Sequence, residues 1–223
     1  MAKYLEVEKG IEISSSTVYR ILKQTRLIER IKTKRIENKN KKKINKKRIR
    51  KGLKATFPGE VVQIDVKHLP QKGKTYYQFT AIDKSMIWAV RHKYTRLSYA
   101  KVYTTKSSKK AKEFFIEAKK YFGFDIKKVQ TDNGSEFLGE FYKYLKEEGI
   151  KHYFSYPKSP KTNSNVERLI RSIEEELWLI EGTEYSIDEL NRKLRRYLRV
   201  YNFIRPHYGL GLRTPAEVAY GKC

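Results

Sequence analysis

Three carboxylates in this chain have the types and spacing that phosphodiester chemistry needs. Asp65 interrupts the apolar run Val61-Val62-Gln63-Ile64-Asp65-Val66. Asp132 heads the turn sequence Asp132-Asn133-Gly134-Ser135-Glu136-Phe137, and Glu167 follows 35 positions later in Asn163-Ser164-Asn165-Val166-Glu167-Arg168. Asp is scarce, at five in 223 residues, so one placed inside an apolar run is informative. A buried carboxylate is costly unless a cation meets it. Either Lys67, two residues on and on the same face of a strand, pairs with Asp65, or Asp65 points into a metal site. Three acids gathered together repel and raise the proton affinity of at least one. Divalent cations relieve that repulsion, and hard carboxylate oxygens select Mg2+ or Mn2+. Two such ions, roughly 3.5–4 Å apart, can activate an attacking oxygen and stabilise a leaving one. No protein nucleophile is then required.

The elements that must position these acids can be read from periodicity and turn residues. Residues 60–69, 75–83 and 87–94 read as three strands joined by short turns. Residues 107–122 have a helical period, with Ala111, Phe114, Phe115 and Ala118 on one face. A strand is expected at 126–131, a helix at 139–149 and a strand at 151–156. A helix over 163–180 carries the stripe Val166, Leu169, Ile170, Ile173 and Leu177. Glu167 lies on the flank of that stripe, about 100° from Val166. Glu174 lies on the same flank roughly 10 Å further along and is a rival to Glu167. A surface Glu167 bridged to Arg171 is the plainer alternative, and Asp83, at a strand end, is the runner-up to Asp65. A further helix at 186–203 opens with Ser186 and Glu189, and Thr214-Pro215-Ala216-Glu217 predicts a capped terminal helix.

Charge points to a polyanionic partner. Lys and Arg number 50 against 25 acids, a net charge of +25. Nucleic acid is the leading candidate and an anionic membrane surface the second. No apolar stretch approaches the ~20 residues that span a bilayer. The single cysteine, Cys223, excludes an intrachain disulfide and fits a reducing cytoplasm. Residues 32–54 hold 13 Lys or Arg and one acid. Such a run resists compaction when free and gains counterion-release affinity opposite phosphates. Lys41, Lys42, Lys43, Lys46, Lys47 and Arg48 are its central candidates for DNA contact. Near the start, a weak helix at 4–9 ends at Gly10, and Ser14 to Thr17 can cap a second helix with Ile13, Val18, Ile21 and Leu22 on its apolar side. That segment resembles the second half of a helix-turn-helix, which makes Ser15, Thr17, Tyr19, Arg20 and Lys23 candidates to face DNA.

The acid constellation resembles the DDE transposases of bacterial insertion sequences, relatives of the retroviral integrase core. The likeness is carried by Asp132-Asn133-Gly134-Ser135-Glu136-Phe137, by Ser159-Pro160-Lys161-Thr162-Asn163 leading to Glu167-Arg168, and by Tyr201-Asn202-Phe203-Ile204-Arg205-Pro206-His207. Ser164 stands where the family often has Gly, and Ser85-Met86 where it commonly has Ser-Arg. The resemblance implies an α/β, ribonuclease H-like mixed five-stranded sheet flanked by helices. It implies Asp65, Asp132 and Glu167 as catalytic metal ligands for two Mg2+ or Mn2+ ions; the polar residues nearest them in sequence, Lys161, Asn163 and His68, are further candidates for DNA contact. It implies hydrolysis that frees a 3′-hydroxyl at a transposon end, then attack of that hydroxyl on target DNA. The partners would be double-stranded DNA and a second copy of the chain or more, at the nucleoid in the cytoplasm, with no membrane and no small-molecule substrate. Four regions are expected: 1–30 a partial helix-turn-helix, 31–56 a basic linker, 57–180 the catalytic core, and 181–223 a helical extension packed on it, with no chemistry of its own. The second reading is a truncated, non-transposing DNA-binding remnant.

Overall fold

The computed structural model describes residues 9–25, 46–48, 55–71, 73–84, 86–87, 93–156 and 163–221. The chain divides into two compact units, 1–45 and 46–223. In the first, helix α1 (Ser15–Gln24) starts where the Ser14 hydroxyl accepts the Thr17 backbone N–H at 3.1 Å. Val18 is buried, Ile21 is exposed, and Ser15, Tyr19, Arg20 and Lys23 face outward, with Thr17 half-buried. Residues 4–8 of the helix expected over 4–9, and most of the basic linker, including Lys41, Lys42 and Lys43, lie outside the described residues.

The second unit is built on β1 (Val62–Gln71), whose alternation sends Val62, Ile64 and Val66 to one face and Gln63, Asp65, Lys67 and Leu69 to the other. β1 pairs along its whole length, antiparallel, with β2 (Lys74–Asp83). β2 pairs antiparallel with β3 (Ser98–Tyr103). On its other side β1 pairs parallel with β4 (Lys128–Thr131), which pairs parallel with β5 (Lys151–Phe154). The sheet order is therefore β3-β2-β1-β4-β5, mixed and five-stranded as the sequence implied.

Helices cover both faces. One face carries α2 (Ser108–Phe122) and α3 (Gly139–Glu147), whose Phe114, Phe115, Phe122, Phe141 and Leu145 pack on Val62, Ile64 and Phe79. Each of these fully buried side chains contributes about 1.5–3 kcal/mol of transfer free energy. The other face carries α4 (Ser164–Ile173) and α5 (Ile187–Phe203), whose Val166, Leu169, Ile173, Leu190, Leu194 and Leu198 meet Leu69, Ile82, Ala100 and Val102. Asp65 therefore looks toward the same layer that carries Glu167. The short helix α6 (Pro215–Tyr220) has the full capping box read from Thr214 and Glu217.

Two expectations need correction. The third strand of the sheet is not 87–94. Residues 86–87 and 93–94 form a separate two-stranded ribbon, and the sheet uses Ser98–Tyr103 instead. That strand reads as polar because Ser98, Ala100 and Val102 face one side and the tyrosines the other, with no long aliphatic side chain on either. The helix expected over 163–180 also changes pitch. After Ile173 it passes through a π turn, Glu174–Trp178, before a last helical stretch, Leu179–Glu181.

Candidate active site

The parallel register of β1 and β4 organises the site. Val62 pairs with Val129 and Gln63 with Gln130. The same offset, carried one residue past the end of β4, sets Asp132 level with Asp65 on strands about 4.8 Å apart. Below the acids on this face, Gln63 Nε2 donates to Gln130 Oε1 at 3.1 Å, and Gln130 Nε2 donates to Ser155 Oγ at 3.1 Å. This closed row of amides gives the two strands a fixed spacing directly beneath Asp65.

Asp65 is half-buried, and one carboxylate oxygen accepts the Val66 backbone N–H at 2.9 Å. Burial pushes its carboxyl up to about 7, and Asp132, Glu167 and Glu136 push in the same direction. Three carboxylates thus act on that of Asp65. Lys67 does not relieve Asp65, because its Nζ is bound to Glu174 Oε1 at 2.7 Å. The rival Glu174 is itself committed to that pair.

Asp132 opens the turn that ends β4. Its Oδ1 accepts the Gly134 N–H at 2.9 Å, which closes the turn. The Thr131 hydroxyl donates to the Asp132 carbonyl at 2.8 Å and lies 2.9 Å from His152 Nε2. His152 is buried, which lowers it to about 3 and keeps it neutral. Asn133 points the other way and gathers cations: its Oδ1 accepts from Arg48 Nη1 at 2.9 Å and Lys46 Nζ at 3.4 Å. The Arg48 backbone is bridged to Phe154, and the Phe154 N–H donates to the Lys47 carbonyl at 2.9 Å. Lys46 and Arg48, read as DNA-contacting, thereby lie along the open edge of β5 beside the Asp132 turn.

Glu167 sits in the first turn of α4, exposed. Desolvation holds its carboxyl above the ordinary value, and Arg171 acts against that without forming an ion pair among the described residues. Asp83, the runner-up to Asp65, is fully buried and structural: Thr95 Oγ1 donates to its Oδ2 at 2.5 Å and Gly59 N–H to its Oδ1 at 3.3 Å. Asn163 is inside rather than on the surface, 4% exposed, with neither end of its amide hydrogen-bonded among the described residues. It is the helix N-cap by position but its side chain caps nothing. Lys161 lies outside the described residues. His68 faces away from Asp65 on the alternating strand and packs edge-on against Tyr77.

Sequence reasoning missed Glu136. Among 20 Glu in the chain, nothing but its place after the turn distinguished it. It is 4% exposed, Lys106 Nζ lies 3.4 Å from Oε1, and Oε2 has no hydrogen-bond partner among the described residues. Its carboxylate lies against Gly134, where a Cβ would come within 2.6 Å of it. Glycine here makes room for a buried acid.

Among the described residues no three His, Cys, Asp or Glu side chains stand close enough to hold a metal ion as they are. The donor set nevertheless suits a divalent cation: all oxygen, with the Asp65 carboxyl raised by burial and then by its acidic neighbours, and one buried carboxylate oxygen without a partner among the described residues.

The mixed five-stranded sheet with helices on both faces is a ribonuclease H-like fold. An integrase core domain model matches residues 55–160 and a second integrase core domain model matches residues 148–215. The chain belongs to the integrase core family. It is 29% identical over 172 residues to a putative integrase of Spiroplasma virus SpV1-C74, covering 70% of this chain and 46% of that protein. It is 29% identical over 176 residues to a putative transposase of the insertion sequence element IS5376 from Geobacillus stearothermophilus, covering 73% of this chain and 42% of that protein. The chain thus spans less than half the length of the curated relatives it matches. In structure it resembles the HTLV-2 integrase catalytic core domain in complex with magnesium, at a TM-score of 0.59 and 18% identity over 74% of this chain and 99% of that one.

Proposed function

We propose that this chain cuts and joins DNA in transposition, by metal-dependent hydrolysis and strand transfer at transposon ends. The observation that carries the reading is the surroundings of Asp65: a strand carboxyl in the field of Asp132, Glu167 and Glu136, on a chain of net charge +25. Asp65, Asp132 and Glu167 would hold the Mg2+ or Mn2+ ions, two in number, which neutralise charge on the attacking and leaving oxygens. Glu174 is the weaker third ligand because its carboxylate is occupied by Lys67.

The remaining chemistry falls to this chain's own residues. The Gln63–Gln130 row and the Asp132–Gly134 turn orient the two Asp carboxylates before substrate arrives. Lys46, Lys47 and Arg48, beside the Asn133 turn, neutralise backbone phosphates. Water attacks a phosphodiester at the transposon end and releases a 3′-hydroxyl; that hydroxyl attacks a target phosphodiester, and a P–O bond breaks as the new one forms. Residues 1–30, through Ser15, Thr17, Tyr19, Arg20 and Lys23, read the DNA, 31–56 link, 57–180 catalyse, and 181–223 support the core. Strand transfer joins two ends, so the working form is a dimer or larger.

A second reading is a protein that binds DNA without cutting it. The observation in its favour is that the acids, as they stand, do not close on one cation. Strand transfer by the purified protein on a labelled DNA end separates the two. Mg2+-dependent joined product is expected from the wild type and none from Asp65→Asn, Asp132→Asn or Glu167→Gln, with DNA binding retained in all three. Activity surviving in one of them removes that residue from the site, and loss in Glu174→Gln but not Glu167→Gln moves the third ligand.

A further inference from the structure

The motif Arg205-Pro206-His207 was read as packing, yet it walls a cleft. The cleft has a volume of about 220 Å3 and lies between α4, the end of α5 and the segment after it. A water's share of liquid volume is about 30 Å3, so the space would take a phosphate group with several waters. Its walls carry three guanidinium groups, Arg96, Arg168 and Arg205, against a single acid, Glu176. Glu176 is matched to Arg205 at 2.5 Å and also accepts from Tyr197 Oη at 3.0 Å. Arg96 and Arg168 have no carboxylate partner among the described residues. His207 adds no charge: its Nε2 bonds the Tyr201 carbonyl at 3.0 Å, and burial holds it below the usual imidazole value.

The cleft has the marks of a formed site. Arg96 adopts a left-handed backbone, φ 58°, uncommon for a residue with a side chain. Its guanidinium lies flat against Gly209, where a Cβ would come within 2.6 Å of Nη2. Any larger residue at 209 would displace it. The cleft also lies close to the acids. Ile82, on its floor, pairs across strands with Gln63, while Asp65 pairs with Thr80 on the same face. Diagonal neighbours of that kind are about 7–8 Å apart. Arg168 directly follows Glu167. Phosphates recur every 3.4 Å of axis along one strand of a duplex, so a strand lying over the acids brings another phosphate within reach.

We infer that this cleft is a phosphate-binding site that takes a DNA backbone phosphate close to the one at the acids, with Arg168 and Arg96 as its donors and Glu176 tempering its charge. The inference rests on the reading of the chain as DNA-binding. Its test is the salt dependence of duplex DNA affinity, measured by anisotropy in metal-free buffer for wild type, Arg168→Gln, Glu176→Gln and Lys120→Gln. Lys120 is an exposed cation on α2, across the sheet, and reports simple loss of charge. Arg168→Gln should weaken binding about three- to tenfold and reduce the slope of log affinity against log salt by about 1. Glu176→Gln, which frees Arg205, should tighten binding and steepen the slope, a change that damaged folding cannot produce. Inorganic phosphate, added to all four, should compete with DNA less effectively against Arg168→Gln than against wild type. If Arg168→Gln weakens binding no more than Lys120→Gln and phosphate competes equally against both, while the wild type binds normally, the cleft is not a phosphate site and the DNA reading stands. If the wild type does not bind DNA, that reading falls and the inference with it.

Discussion

Asp65 is the residue through which the site and the stability of the fold are linked. Its carboxyl takes up a proton more readily folded than unfolded, with a value of about 7 against 3.8. Between those values the folded chain binds more protons, so this residue's contribution to stability is present at low pH and is lost as pH rises through 7. Asp65→Asn removes that cost. In metal-free buffer at pH 8 the variant should melt above the wild type by roughly 2–8 °C, corresponding to about 1–2 kcal/mol after allowance for solvent screening. Near pH 4 the two should coincide, and a pH-independent difference in melting would argue against a site built on electrostatic crowding. Gly134 tests the neighbouring acid. Gly134→Ala must displace the Glu136 carboxylate, at a cost of about 1–3 kcal/mol. Adding Glu136→Ala should recover part of that loss. If the two changes prove additive in thermal melting, Gly134 and Glu136 are not coupled.

At the level of elements, α5 does more than cover the sheet. Asn191 and Asn202, 11 residues apart and three turns along one helix face, meet the outer edge of β3. Asn191 accepts the Val102 N–H at 2.8 Å and donates to its carbonyl at 3.0 Å; Asn202 does the same for Ser98 at 3.1 and 2.7 Å. The two amides occupy hydrogen bonds that another strand would otherwise make. Asn202→Leu should destabilise the fold by about 2–4 kcal/mol, because a buried N–H and a buried C=O lose partners together. A loss below about 0.5 kcal/mol in chemical denaturation would contradict this role. These bonds also explain what the sequence concealed. β1, β4, α2 and α4 were legible because apolar periodicity and turn residues mark them. β3 was not, since its edge is satisfied by side chains 89 and 104 residues away and its own residues are small or polar. The π turn after Ile173 and the burial of Asn163 were hidden for the same reason: tertiary contacts decide them. Asp65, Asp132 and Glu167 were candidates from their sequence context and the family resemblance, whereas Glu136 became visible only once the turn had folded back over it.

For the whole molecule, charge and fold serve one arrangement. The chain carries a net charge of +25, while at Asp65 burial and three neighbouring carboxylates raise the proton affinity of the carboxyl. On the proposed function the cations would draw in a polyanion, and Asp65 retains a demand for positive charge that no lysine or arginine of the described residues meets. Lys67 is taken by Glu174 and Lys106 by Glu136, and Arg48 is turned to Asn133. A fold that left this demand open without a use would sacrifice stability for nothing. The most direct test is calorimetric titration of Mg2+ or Mn2+ into the purified chain at pH 8, with Asp65→Asn, Asp132→Asn and Glu167→Gln alongside. Saturable binding by the wild type, accompanied by proton release and lost or sharply weakened in each variant, is the predicted result. Wild-type binding that survives unchanged in all three, or no binding by the wild type, would contradict a common metal site.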